Sequence, residues 1–268
     1  MLIGTMNHPE RAIEDEIAWM ADAGMEFLDL TLEPPAASSW NIDAGAIRRA
    51  LERHRMKTVV GHTAWYLPMA SAIPELRQAA VAELTRCLQR FAEIGAEWMN
   101  IHPDRHTPWH DRRFYIEGNI ASLEKLLRDA EKYGVGLMIE NLPGEYNSAP
   151  QLGELLDRLP ELGLHLDIGH ANLQVPHNTT GEILAAYGRR LRHVHLHDNR
   201  GGHQDLHLPL GTGTVDVRDS IQALHRCGYD GTITLEVFTP DKRHLMYSRD
   251  VLRGVWQQEA ERMSVASR

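Results

Sequence analysis

Cysteine is scarce in this chain: Cys87 and Cys227 are the only two among 268 residues. Both fall in segments that read as helices, and neither has metal-ligand spacing, so they read as two reduced and largely inert thiols. That fits a reducing compartment. Long apolar runs are also missing. No stretch approaches the ~20 residues needed to span a bilayer. The opening Met1-Leu2-Ile3-Gly4-Thr5-Met6 has no basic start followed by an apolar run, so it does not read as a signal peptide. The expected location is cytoplasmic, with no membrane partner. An excess of basic charge is absent as well, since 28 Lys and Arg stand against 37 Asp and Glu, a net charge of −9. An acidic chain is a poor non-specific partner for nucleic acid or an anionic membrane surface. Part of that charge would itself be a metal site.

There is no long linker, low-complexity tract or shift in composition, so residues 1–268 read as one domain. The length is near the ~250 residues of a single β/α barrel. Short apolar runs at 2–6, 26–32, 57–63, 97–102, 135–141, 163–169, 191–198 and 231–238 read as strands. Longer amphipathic runs lie between them, for example 9–23, 74–94, 117–133 and 215–227. Eight strand–helix units with short connections imply a parallel sheet closed into a (β/α)8 TIM barrel. Gly24, Gly95, Gly134, Gly163 and Gly228 each follow a helical run and precede a strand, as helix-terminating glycines do.

Period-2 alternation assigns the strand faces. In the fifth strand Val135, Leu137 and Ile139 oppose Gly136, Met138 and Glu140. In the sixth, Leu164, Leu166 and Ile168 oppose His165 and Asp167; in the eighth, Ile233, Leu235 and Val237 oppose Thr232, Thr234 and Glu236. The branched set faces the helices and the other set points inward, where polar groups are expensive without partners.

Six consecutive strands place a potential ligand at or near their C-terminal end: His62, His102, Glu140, Asp167, His195 and Glu236. That rim is where β/α barrels carry their chemistry. His170 follows Asp167 by one short turn, and Asp205 and His207 occupy the loop after the seventh strand. Imidazole and carboxylate are ligands for first-row divalent metals. Each residue alone reads as a structural histidine, a paired carboxylate or a solvated loop residue. Nine together, with too few inward cations to neutralise four carboxylates, make metal ions the economical counter-charge. In the seventh strand His193, His195 and His197 share one face. His193 lies deepest and reads as a core histidine; geometry leaves the choice between His195 and His197 open.

The segments IEN at 139–141, LDIGHA at 166–171, HVHLHDN at 193–199, DLHLPLGTG at 205–213 and YDGTITLEVF at 229–238 resemble the xylose isomerase-like barrel superfamily. That superfamily holds sugar and sugar-phosphate isomerases and epimerases and the endonuclease IV type of AP endonuclease. The resemblance implies that Glu140, Asp167, His195 and Glu236 form the metal site common to the isomerases and epimerases, and it favours His195 over His197. It also implies that Glu140 and Glu236 exchange a proton with the substrate carbon. His62, His102, His170, Asp205 and His207 match the further ligands of the endonuclease branch's trinuclear zinc site. In that layout His62 and His102 share Glu140 at one metal, and His170, Asp205 and His207 hold another.

Three departures separate this chain from the endonuclease pattern. The first strand has Gly4-Thr5-Met6-Asn7-His8 in place of a Gly-x-His-Val-Ser segment. His197 stands where an asparagine is usual. The Asp-Thr-Cys-His motif has become Asp167-Ile168-Gly169-His170. No long insertion offers a DNA-gripping loop.

The resemblance therefore implies a divalent-metal-dependent isomerase or epimerase of a small sugar, inositol derivative or sugar phosphate, working by proton transfer through an enediolate. Glu140, Glu236 and His170 would be catalytic, with one to three ions of zinc or manganese per chain. The alternative is a zinc-dependent phosphodiesterase or AP endonuclease-like hydrolase. Rim residues Arg105, Arg200 and Trp65 are candidate substrate contacts, beside Arg112, Arg113, Lys242, Arg243, Trp40 and Trp109. The expected partner is a small sugar-like molecule and not nucleic acid; a homo-oligomer is left open. The basic run Arg48, Arg49, Arg53, Arg55, Lys57 precedes the third strand, opposite the metal rim, and reads as a solvated helix face.

Overall fold

The computed structural model describes residues 1–107 and 109–266, so Pro108 in the loop after the fourth strand lies outside it. The strands are β1 Leu2–Met6, β2 Phe27–Leu32, β3 Lys57–Thr63, β4 Trp98–Ile101, β5 Gly136–Glu140, β6 Gly163–Asp167, β7 Leu191–Leu196 and β8 Thr232–Leu235. The helices are α1 Ile13–Asp22, α2 Ala44–His54, α3 Pro74–Ile94, α4 Arg112–Tyr133, α5 Ala149–Leu156, α6 Thr180–Tyr187, α7 Val217–Arg226 and α8 Arg243–Ala266. The strands form a closed parallel barrel in chain order, the fold class read from the alternation. No helix among the described residues is long and apolar enough to cross a membrane.

Two compact units divide the chain. One holds Met1–Ile3, Asn141–Ala149 and the chain from Leu164 on; the other holds Gly4–Glu140 and Pro150–Gly163. In the Gly4–Glu140 unit the β2 residues are buried throughout, as in a strand covered on both faces. Asp43 caps α2 by accepting the Ala46 amide at 2.9 Å, and Asp111 caps α4 by accepting the Phe114 amide at 2.9 Å. The cap at Asp111 starts α4 five residues before the expected run at 117. Gly95 and Gly134 end α3 and α4 with φ of +102° and +69°, a conformation glycine adopts without a Cβ penalty. Arg48, Arg49, Arg53, Arg55 and Lys57 are exposed, as a solvated helix face should be.

In the other unit β6, β7 and β8 run in parallel, with Asp167 opposite His195 and His195 opposite Thr234. Gly163, the last residue of the Gly4–Glu140 unit, corrects the glycine reading: it is the first residue of β6 and has no positive φ. The inward alternation holds, since the buried rings of His165, His193 and His195 touch edge-on at 4.1–5.3 Å between centroids. His193 is a core histidine held at both ring nitrogens, by Thr232 Oγ1 at 2.7 Å and Thr234 Oγ1 at 2.9 Å.

Candidate metal centre

Six of the eight strands are shorter than their expected runs, and the functional side chains fall near the strand ends: His62 and His195 one residue inside, Glu140 and Asp167 last, His102 and Glu236 just past. In the Gly4–Glu140 unit, Glu140 ends β5 and is almost wholly buried. Its Oε2 lies 3.0 Å from His102 Nε2 and 3.7 Å from His62 Nε2. The two imidazoles meet edge to face at 4.9 Å. Asn100 Nδ2 donates to the same Oε2, and the buried Asn100 Oδ1 has no hydrogen bond. His62, His102 and Glu140 therefore converge as expected. Asn100 was missed, although its register, two residues before His102, puts it on the same face.

In the other unit Asp167 ends β6, and its Oδ1 accepts the His170 amide at 2.8 Å, which shapes the turn that returns the imidazole. Asn141 grips the backbone of Asp167 from both sides, accepting its N–H at 2.7 Å and donating to its carbonyl at 2.9 Å. Asn147 donates to the carbonyls of His170 at 2.7 Å and Leu173 at 2.9 Å. A buried amide that satisfies two backbone groups at once fixes a loop that would otherwise hold unpaired polar atoms. Asn147 and this role of Asn141 have no periodic signature.

Ligand atoms of Asp167, His195 and Glu236 lie within 4.8 Å of one another, as do those of Asp167, His170 and His197, and of His197, His207 and Glu236. His195 Nδ1 is 3.3 Å from Glu236 Oε2. Asp205 gathers His170 Nε2 at 3.0 Å and His207 Nε2 at 3.2 Å. The far nitrogens are anchored: His170 Nδ1 lies 3.0 Å from the Asn141 carbonyl and His207 Nδ1 lies 3.0 Å from the Glu236 carbonyl. A carbonyl can only accept, so each Nδ1 carries the proton and each Nε2 is turned inward. That is how a protein orients metal-ligating histidines. With buried carboxylates and aimed imidazoles, this residue set fits a divalent ion.

Without a cation the charges settle locally. Burial opposes ionisation of Asp205, but hydrogen bonds from His170 and His207 hold its carboxyl well below the usual range. Burial likewise opposes charging His207, yet its bond to Asp205 and the charges of Glu236 and Asp167 raise it to about 9.

The loop carrying Asp205 and His207 is organised by Asp198, also missed from sequence. This buried carboxylate accepts four amides: Asn199 at 2.8 Å, Gly211 at 2.9 Å, Gly213 at 2.8 Å and Val215 at 3.0 Å. Asp198 and Leu208 also pair as a short antiparallel bridge. His207 sits at φ +45°, uncommon for a non-glycine residue.

The rim contacts divide. Arg105 and Arg200 are exposed, and Trp65 is 69% exposed against Tyr66 at 5.7 Å. Arg112 is committed to Glu154 at 2.8 Å, and Arg243 forks onto Asp241 at 2.9 and 3.0 Å, so neither is a ready anion clamp.

Residues 17–261 match the family described as xylose isomerase-like TIM barrel. A probable endonuclease 4 of Halorhodospira halophila is 29% identical over 203 residues, covering 66% of this chain and 68% of its own. A ketose 3-epimerase of Arthrobacter globiformis is 22% identical over 275 residues, covering 97% of this chain and 90% of its own. The solved structure of a D-tagatose 3-epimerase-like protein has a TM-score of 0.86 at 22% identity, over 98% of this chain and 100% of that one.

Proposed function

The chain belongs to the xylose isomerase-like TIM barrel family, and from that premise we propose that it is a divalent-metal-dependent isomerase or epimerase of a small sugar, inositol derivative or sugar phosphate. The observation that carries this reading is the buried convergence of Asp167, His195 and Glu236 within 4.8 Å at three successive strand ends. Glu140, which ends β5, is assigned to the same ion by the resemblance alone.

When bound, the ion supplies Lewis-acid polarisation of a substrate carbonyl and its neighbouring hydroxyl. The residues do the rest. Glu140 and Glu236 take the proton from the carbon beside the carbonyl and return one to it, each as base and then as conjugate acid. His195 holds Glu236 Oε2 in place. Burial keeps bulk water from competing for the proton, where general-base help of roughly 10²–10⁴-fold is available. His170 orients a hydroxyl or holds a further ion. The expected ion is zinc or manganese.

The second reading, a zinc-dependent phosphodiesterase, is favoured by one observation: His170, Asp205 and His207 form their own group beside the first. Isotope exchange separates the two. In D₂O, one ketose, inosose or phosphate ester of a panel is expected to gain deuterium at one carbon, and Glu236→Gln should abolish the exchange while metal is retained. No exchange in any panel member, together with hydrolysis of a simple phosphodiester, would reverse the order of the two readings.

A further inference from the structure

We propose that His197 is a metal ligand of this chain, the fourth protein donor to the ion held by His170, Asp205 and His207. The proposal rests on the metal-dependent reading above and deepens it.

His197 is fully buried, and its Nε2 has no hydrogen bond. That nitrogen points between two carboxylates, 3.4 Å from Asp167 Oδ1 and 3.5 Å from Asp205 Oδ1. Its other nitrogen, Nδ1, lies 3.3 Å from the Asp198 carbonyl. That carbonyl can only accept, so Nδ1 is its donor and Nε2 is the ring nitrogen left facing the two carboxylates, in the position from which a ligand reaches a shared cation. His170 and His207 show the same arrangement: Nδ1 on a backbone carbonyl, Nε2 towards Asp205. Three imidazoles oriented alike around one carboxylate are a ligand set for a borderline ion such as Zn²⁺. The His197 ring is fixed from the side as well, stacked on His207 at 4.1 Å, with His207 in turn stacked on Phe238 at 4.4 Å.

Two departures from the endonuclease pattern, independent in sequence, meet here. Residue 197 has gained an imidazole where asparagine is usual, and residue 169 is a glycine. A Cβ on Gly169 would lie 2.2 Å from His197 Cε1 and Nε2. The ring occupies space that only a missing side chain leaves.

The consequence bears on chemistry. Four protein donors close a tetrahedral site, whereas an ion that activates water keeps an open position. The ion on His170, His197, Asp205 and His207 would therefore anchor the loop rather than activate water.

Cobalt substitution of the full-length, metal-depleted protein tests it. Four-coordinate Co²⁺ absorbs visible light far more strongly than five- or six-coordinate Co²⁺. The wild type is expected to bind one equivalent with a strong four-coordinate band. His197→Asn should lose that band and weaken that equivalent by at least about tenfold, leaving any other equivalent unchanged. Gly169→Ala, which keeps the imidazole but displaces it, should produce the same spectral loss and add nothing on top of His197→Asn; it carries the test if His197→Asn does not fold. Identical stoichiometry, affinity and spectra in wild type and variants, with metal-dependent exchange intact, would overturn the His197 assignment alone. A wild type that takes up no Co²⁺ would overturn both this assignment and the metal-dependent reading.

Discussion

The Gly213 amide donates to Asp198 Oδ2 at 2.8 Å, in a space where a Cβ on Gly213 would stand 2.3 Å from Asp198 Oδ1 and 2.1 Å from the Asn199 carbonyl. Gly213→Ala must therefore move backbone. Asp198→Asn turns an amide NH2 towards N–H donors and strands at least one of them, a cost of about 3 kcal/mol. The expected result is a lower melting temperature in both variants. Hydrogen exchange should accelerate at Gly211, Gly213 and Val215, even in metal-free protein. Exchange at those amides unchanged from wild type would remove Asp198 from its organising role.

Metal content is the second test. Protein purified without chelator is expected to hold at least one divalent ion per chain, and chelation should lower the melting temperature. An ion present at 100 times its Kd stabilises by about 2.7 kcal/mol. Three carboxylates and an imidazole suit Mn²⁺ or Mg²⁺, whereas the His-rich group suits Zn²⁺. Elemental analysis reading zero, with no shift on chelation, would contradict the metal centre.

The charge state of His207 predicts a pH dependence for the metal-free protein. Its folded value is raised from 6.5 to about 9, so the stabilisation is present in full below about 6.5 and is lost as pH rises through about 9. Asp205 is shifted the opposite way, so its contribution is present above about 4 and is lost only in strong acid. Thermal melts of chelated protein should therefore decline between pH 7 and 10, and the decline should flatten in His207→Gln. A wild-type curve parallel to the variant's would be the negative result.

The thiols should be quiet. Burial and the neighbouring Glu83 push the Cys87 thiol far up, and burial raises Cys227 as well. Thiolate is the reactive form. A thiol reagent at neutral pH is expected to label native protein slowly, at Cys227 before Cys87, and both quickly once unfolded. Rapid labelling of Cys87 in the folded state would count against its packing.

Duplex DNA should not be a substrate. The chain is acidic at −9, and its exposed basic run lies on α2 and the start of β3, where strands begin. Abasic-site duplex is expected to survive incubation with the Zn²⁺- or Mn²⁺-loaded protein at physiological salt. Incision lost in Glu140→Gln would promote the phosphodiesterase reading.

The barrel and most of its candidate ligands were legible because both follow from local periodicity. An alternation of two along β5, β6 and β8 places Glu140, Asp167 and Glu236 on one face whatever the rest of the chain does. The strand ends were less legible. β8 ends at Leu235 and β4 at Ile101, inside their expected runs, and past Leu235 only the Glu236 amide, among the described residues, still bonds the Leu196 carbonyl, at 3.1 Å, so strand ends follow pairing with a neighbour and not the run itself. Gly163 looked like a helix stop since it follows a helical run, but no left-handed turn is needed before β6.

By itself, the sequence determined the fold class, the residue types on the inner face and the inventory of candidate ligands, down to the Asp205–His207 pair. Only the tertiary structure decided which imidazole nitrogen faces which carboxylate. It also revealed the carbonyls behind His170, His197 and His207 and the four amides gathered by Asp198. Many of those partners are distant along the chain: His170 and Asp205 are 35 residues apart, and His195 and Glu236 are 41. A ring nitrogen's role is set by what the fold brings to its other side, and no local period encodes that.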